Sequence, residues 1–263
     1  MAVIITAFFA VTAVSAGGPQ YTLVWEDDFN GTELDTAYWS RIPRGTSDWD
    51  RHMSALDTLY EVRGSNLILR GIYNTAYPSD TSRYLTGGVY TKNKKTITYG
   101  KVEIRAKLQG ARGAWPAFWM VANDVPWPRG GEIDIMERLN NDTIVYQTIH
   151  SHYTHVLGIK DNPQHGGVNT IDTDGYNTYA VEILPDSLVL SVNGNHTLTY
   201  PRIETDKEGQ FPFGVPYFLM LDMQIEGSWV GKADPADYPV EQHIDWVRFY
   251  LPADSGKEAS ASK

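Results

Sequence analysis

An all-β sandwich or barrel is the fold class this sequence predicts, and three observations predict it. Short strand-like runs recur roughly every ten residues. Turn chemistry separates them, and no segment sustains an apolar repeat of helical period. The first runs, 21–25, 60–62, 67–71 and 85–90, are blocks of aromatic and branched residues. Run 96–108 sets Val102, Ile104, Ala106 and Leu108 against Lys101, Glu103, Arg105 and Lys107, the period of a half-buried strand. Runs 117–121 and 217–224 are nearly continuous apolar stretches, and 132–137 and 144–151 mix apolar with polar residues. Runs 177–183, 187–192, 196–199 and 242–250 complete the set, with Asn193-Gly194 between two of them, a strong hairpin signal. Many short strands punctuated in this way build a sandwich or barrel. Stretches 41–59, 110–116, 123–130 and 152–174 lack strand character. Loops of this length in a compact domain are usually functional, and these are expected to wall a groove.

Composition narrows the function. The chain has 263 residues, 42% hydrophobic and 12% aromatic, enough for one large domain. Lys and Arg total 22 against 32 acids, a net charge of −10. That argues against nucleic acid, whose phosphates need a basic footprint, and mildly against a heavily sulfated polymer. Eight Trp and 16 Tyr suit stacking on pyranose rings. Absence of cysteine removes disulfides and thiolate metal sites. Residues 1–16 are apolar and end Val14-Ser15-Ala16, the pattern of a secretory leader cleaved after Ala16 and too short for a membrane span. The expectation is a monomeric secreted or periplasmic protein of bacterial origin. Residues 17–251 would form its one domain, and residues 252–263 a disordered tail.

The stretch from Gly130 to Glu137 carries the chemistry. Glu132, Asp134 and Glu137 lie within six residues, separated by apolar ones. On a regular strand Glu132 and Asp134 share a face with Met136, and Glu137 points away. A β-bulge would bring Glu137 back beside the other two. Like charges on one strand face repel, whereas cleaving a glycosidic bond needs one ionised and one protonated carboxyl across it. Glu132 and Glu137 would then lie four strand steps apart, roughly 13 Å between Cα atoms. Their side chains, leaning together, would leave a gap near 5–6 Å, which suits retention of configuration rather than inversion. His150, His152 and His155 do not have standard zinc spacing.

These segments resemble glycoside hydrolase family 16, the laminarinase- and licheninase-like endo-β-glucanases. The resemblance runs through Val24 to Gly31, Gly113-Ala114-Trp115-Pro116-Ala117-Phe118-Trp119-Met120, Glu132-Ile133-Asp134-Ile135-Met136-Glu137, Gln147 to His150 and Asp245 to Tyr250. It implies a β-jelly-roll sandwich of two antiparallel sheets with a concave substrate cleft. It makes Glu132 the nucleophile and Glu137 the acid, then base, with Asp134 between them sharing a proton or hydrogen bond with Glu132. Trp115, Trp119, His150 and Trp229 become substrate contacts, and a structural calcium would involve Asp245 with oxygens near Asp28 and Ser65. The chain departs from the laminarinase pattern at Gln224 and Glu226, where alanine and glycine are usual. It departs again at 48–53, which replaces an asparagine-rich stretch, and at 152–155 with the 158–167 loop, which look closer to marine-galactan and gut-bacterial members. Gln224 and Arg51 are counted with the substrate contacts. The implied activity is a retaining endo-β-glucanase acting on β-1,3- or mixed-linkage β-1,3/1,4-glucan. An agarase- or porphyranase-like galactanase, a transglycosylase and a non-catalytic lectin are the alternatives, and the intact acid trio speaks against the last.

Overall fold

In a computed structural model, residues 20–253 are described. The expected leader lies outside them. Of the expected tail, Pro252 still belongs to the last strand and the Ala253 N–H donates to Gln20 O at 2.8 Å.

Strands β1 (Tyr21–Asp27), β2 (Ser40–Arg41), β3 (Tyr60–Val62), β4 (Leu67–Tyr73), β5 (Tyr84–Thr86) and β6 (Gly88–Tyr90) come first. They are followed by β7 (Thr96–Ile97), β8 (Gly100–Leu108), β9 (Ala114–Ala122), β10 (Glu132–Glu137), β11 (Ile144–His150) and β12 (Gly166–Thr170). The last five are β13 (Asn177–Ile183), β14 (Ser187–Val192), β15 (Asn195–Pro201), β16 (Tyr217–Ile225) and β17 (Val240–Pro252). Among the described residues they form two antiparallel sheets. One runs β15-β14-β13-β8-β17-β4-β3, with β1 on β17 and β5 on β4. The other runs β12-β11-β10-β9-β16-β6-β2, with β7 on β16. No described helix is long and apolar enough to cross a membrane.

The core is the space between the sheets. Val102, Ile104 and Ala106 of β8, Tyr179 and Val181 of β13, and Val247 and Phe249 of β17 meet Phe118 and Met120 of β9, Leu219 and Leu221 of β16, and Ile133 of β10. Alternation along each strand leaves the other face of the β10 sheet free for polar groups. The hairpin at Asn193-Gly194 forms as its dipeptide requires, with φ of +52° and +77° and β14 paired to β15.

Two expected strands prove to be pairs. Run 85–90 divides at Gly87, so that β5 lies in one sheet and β6 in the other. A Cβ at Gly87 would sit 2.6 Å from Leu59 O. Run 96–108 divides between β7 and β8 in the same manner. There Gly100 has φ +135°, and a Cβ would lie 2.1 Å from Tyr250 O. Apolar patterning cannot see these crossings, because each half keeps its own alternation. The 152–174 stretch also contains a strand, β12, which pairs with β11 along the sheet edge.

Gly100→Ala is therefore expected to cost about 3 kcal/mol or more from backbone strain and steric overlap together. Equilibrium denaturation should read this as a lower midpoint at unchanged slope.

Candidate active site

The site starts from an irregularity in β10. Ile133, Ile135 and Met136 all belong to the core cluster, so two consecutive residues face inward. Asp134 pairs with Trp119 of β9, the next pair is Met136 with Phe118, and Glu137 falls opposite Ala117. On the other side Asp134 pairs with Thr148 and Glu137 with Tyr146 of β11. One extra residue is accommodated, and Glu137 returns to the face of Glu132 and Asp134. Met136 is correspondingly moved off that face. Ile135 falls between the paired positions on both sides. Its carbonyl is met from the core side by Gln147, fully buried, whose Nε2 donates to Ile135 O at 2.6 Å.

Register maps the rest of the face. Ala117 stands between Glu137 and Asp222 of β16, Trp119 between Asp134 and Met220, and Trp115 opposite Gln224. His150 of β11 stands opposite Glu132. Trp115 Nε1 donates to Glu137 Oε1 at 2.9 Å. His150 Nε2 lies 3.3 Å from Asp134 Oδ2 and 3.9 Å from Glu132 Oε1. Trp119 Nε1 donates to the Asp222 carboxylate at 3.3 and 3.4 Å, and Gln224 Nε2 to Asp222 Oδ1 at 3.1 Å. Asp222 was not singled out from sequence, although an acid inside the apolar run Leu219–Met223 was a usable signal.

Burial dominates the electrostatics of all four acids. Desolvation, then the charge of Asp134, pushes Glu132 up to about 8, with His150 and the Trp127 indole pulling the other way. Asp134 is raised by burial and then by Asp222. Glu137 is held well above the usual carboxylate range by burial and by Asp134, against the Trp115 hydrogen bond. Asp222 is pushed up to about 7 by burial, opposed by Gln224 and Trp119. Crowded carboxyls in a dry site cannot all ionise, so protons are held by the group rather than by single residues.

Asp134 Oδ2 lies 3.3 Å from His150 Nε2. Several expectations are corrected. Trp119 is 8% exposed and lies under Trp49, whose ring meets it edge-on at 4.8 Å. The tryptophan expected to line the cleft is thus covered, and its indole serves Asp222. Arg51 is engaged by Asp48 Oδ1 at 3.2 Å and His52 Nε2 at 3.3 Å. Trp115 is half-buried, while Trp229 is 47% exposed and packs edge-on against Trp115 and Tyr146. A second exposed tryptophan, Trp127, escaped the sequence reading. It stands at the Glu132 end with its ring 4.5 Å from that of His155, which a π-turn at His152–Val156 carries to the rim.

Two groups bear on cations. Glu132, Asp134 and His150 offer ligand atoms within 4.8 Å of one another, and two of these three belong to the acid trio. At the expected calcium position, Ser65 Oγ donates to Asn30 Oδ1 at 3.3 Å and Asn30 Nδ2 to Asp28 Oδ2 at 2.5 Å. Asp245 is ion-paired to Arg105. The guanidinium already balances the one carboxylate that calcium would need most, so the donor set fits that ion poorly.

Fold and face define a class: a two-sheet all-β protein with a row of buried carboxyls on one face of the β10 sheet. The sequence pattern of glycosyl hydrolases family 16 matches residues 61–248, and the chain belongs to that family. It is 36% identical over 246 residues to a keratan-sulfate endo-1,4-beta-galactosidase of Sphingobacterium multivorum, covering 91% of this chain and 57% of that protein. The chain thus spans little more than half of that relative. The laminarinase structure from Rhodothermus marinus superposes with a TM-score of 0.78 at 30% identity, over 88% of this chain and 98% of that one. A non-specific endo-beta-1,3(4)-glucanase of family GH16 gives 0.79 at 29% identity, over 89% and 94%. The two-sheet jelly roll is the fold shared with these structures.

Two measurements test the site. Gln147→Leu leaves the Ile135 carbonyl unpaired in the core, which costs about 1–3 kcal/mol. Thermal unfolding should register the loss. The second concerns Asp222, whose pKa is raised on folding. The folded state therefore binds its proton more tightly, and this contribution is present below the unfolded value and lost as pH rises through about 4 to 7. Asp222→Asn should flatten the fall in Tm over that window.

Proposed function

We propose that the chain is a secreted retaining endo-β-glycanase that hydrolyses internal linkages of β-1,3- or mixed-linkage β-1,3/1,4-glucan by double displacement. One observation carries the reading: the extra residue in β10 that turns Glu137 to the face of Glu132. Glu132, ionised, attacks the anomeric carbon while Glu137, protonated, gives its proton to the departing glycosidic oxygen. A glycosyl ester on Glu132 results. Forming it removes a negative charge from the cluster, so the proton affinity of Glu137 falls. Glu137 then takes a proton from water, and the hydroxyl attacks the same carbon and frees Glu132. The Trp115 indole occupies Oε1 of Glu137, leaving Oε2 to carry the proton. Asp134 and His150 hold the protonation pattern around Glu132. Burial raises both acids, so the pair keeps a proton at higher pH than ordinary carboxyls would.

A second substrate is favoured by a specific likeness. The relative at 36% identity acts, by its description, on keratan sulfate as an endo-1,4-β-galactosidase. The same chemistry applied to a β-galactan is the alternative for this chain.

Glu132→Gln and Glu137→Gln should each lower kcat/KM by about 1,000-fold or more while polysaccharide binding persists. Unchanged turnover in either would sink the role assigned. Azide should restore turnover to Glu132→Ala with inversion of the product. A reducing-sugar assay on laminarin, barley β-glucan, lichenan, agarose, porphyran, keratan sulfate and xyloglucan identifies the polymer.

A further inference from the structure

One corner of the catalytic face holds polar atoms that double displacement does not use. Asp222 and Gln224 follow each other along the face on β16, and Glu226 comes just past the strand end. Gln224 is 3% exposed. Its Nε2 is spent on Asp222, and its Oε1 is buried without a hydrogen-bond partner among the described residues. With Asp222 ionised, the amide cannot reverse to cure this, because a carboxylate only accepts.

Glu226 is strained as well as buried. Its φ of +59° is in the left-handed region that glycine occupies freely and other residues rarely. Such strain points to function when something holds it in place. Oε1 accepts from Ala233 N at 3.2 Å, and Oε2 from Lys232 Nζ at 3.4 Å, on a lysine side chain that is 82% exposed. His52 Nε2 is 3.9 Å away yet is no counter-ion. Ser82 Oγ donates to Tyr84 O, so it must accept from His52 Nδ1 at 2.7 Å. That leaves Nε2 as an acceptor, taken by Arg51. Burial, with Arg51 beside it, brings the His52 pKa down to about 4, in keeping with a neutral ring. The corner adjoins Trp115, since a Cβ on Gly227 would lie 3.3 Å from that ring.

We propose that Gln224 Oε1 and the Glu226 carboxylate form a specificity subsite that accepts hydrogen bonds from two free hydroxyls of one hexopyranose unit and rejects that unit when it is sulfated. A sugar hydroxyl supplies the donor that Gln224 Oε1 lacks, and each Glu226 oxygen, already accepting one hydrogen bond, has a lone pair left for a second. A sulfate ester supplies none, and its charge opposes Glu226. Nearby cations are already matched to acids: Arg51 to Asp48, Arg44 to Asp80 and Lys232 to Glu226. The subsite rests on the glycanase reading but can fail separately from it.

The test compares wild type, Glu226→Gly and Gln224→Ala on the polymer identified above and on a sulfated derivative of it. Affinity electrophoresis in both polymers reads binding without turnover. Wild type should bind and cleave the neutral polymer about 100-fold better than the sulfated one, and each variant should narrow that ratio to about tenfold with KM raised about tenfold. Glu226→Gly should also keep or raise Tm, because glycine relieves the left-handed strain. Equal retardation of wild type by the two polymers, or variants with unchanged KM and retardation, would overturn the subsite. Discriminating binding with no hydrolysis of any polymer would overturn the glycanase reading and leave the subsite standing.

Discussion

One surplus residue in β10 governs the catalytic face. Without it Ile135 and Met136 would take opposite sides, and Glu137 would be driven towards the core among Phe118 and Leu219. With it both apolar side chains enter the core, and the acid turns outward. The cost is an interrupted ladder at Ile135, and the remedy is a polar side chain in an otherwise apolar layer. Gln147 is the residue a packing argument would replace with leucine, and its amide is what satisfies the bulge carbonyl. Core chemistry and surface chemistry are therefore set by the same backbone feature.

The second constraint is dryness. Four acids share the face, and burial raises the pKa of each. Such a cluster opposes folding at neutral pH, since charging any member is disfavoured. The neighbouring donors are few and directional: Trp115 on Glu137, Trp119 and Gln224 on Asp222, His150 near Asp134. Tryptophan suits this task because its one N–H stabilises an anion while its ring keeps water out. It explains why Trp119, expected to meet sugar, lies instead beneath Trp49.

Much of this was legible in the residues. Period-two alternation located most strands, and the spacing of Glu132, Asp134 and Glu137 required a bulge before any coordinates. Legibility failed where long-range geometry decides. The sheet crossings at Gly87 and Gly100 leave the local pattern intact, so only the backbone contacts with Leu59 and Tyr250 reveal them. Trp119 and Trp115 look alike in sequence, and a loop residue 70 positions away (Trp49) decides which is covered. The pairing of Asp245 with Arg105 is likewise invisible in the local pattern, because the two residues meet only across β8 and β17.

The two exposed tryptophans bear on why the chain would cut within a polymer. Trp127 stands beside Glu132 and Trp229 beside Glu137, at opposite ends of the same bulged strand. Each is held from below, one by His155 and the other by Trp115 and Tyr146, so each presents a ring at little further entropic cost. An enzyme that trimmed chain ends would need one platform and a wall. Platforms on both sides of the paired glutamates favour a glycan that continues past the scissile bond in both directions. The unpaired Gln224 Oε1 and the Glu226 carboxylate then lie on the Trp229 side alone, which makes recognition asymmetric. On the proposed reading, stacking would set the path of the chain, and the polar corner would select which unit may occupy it.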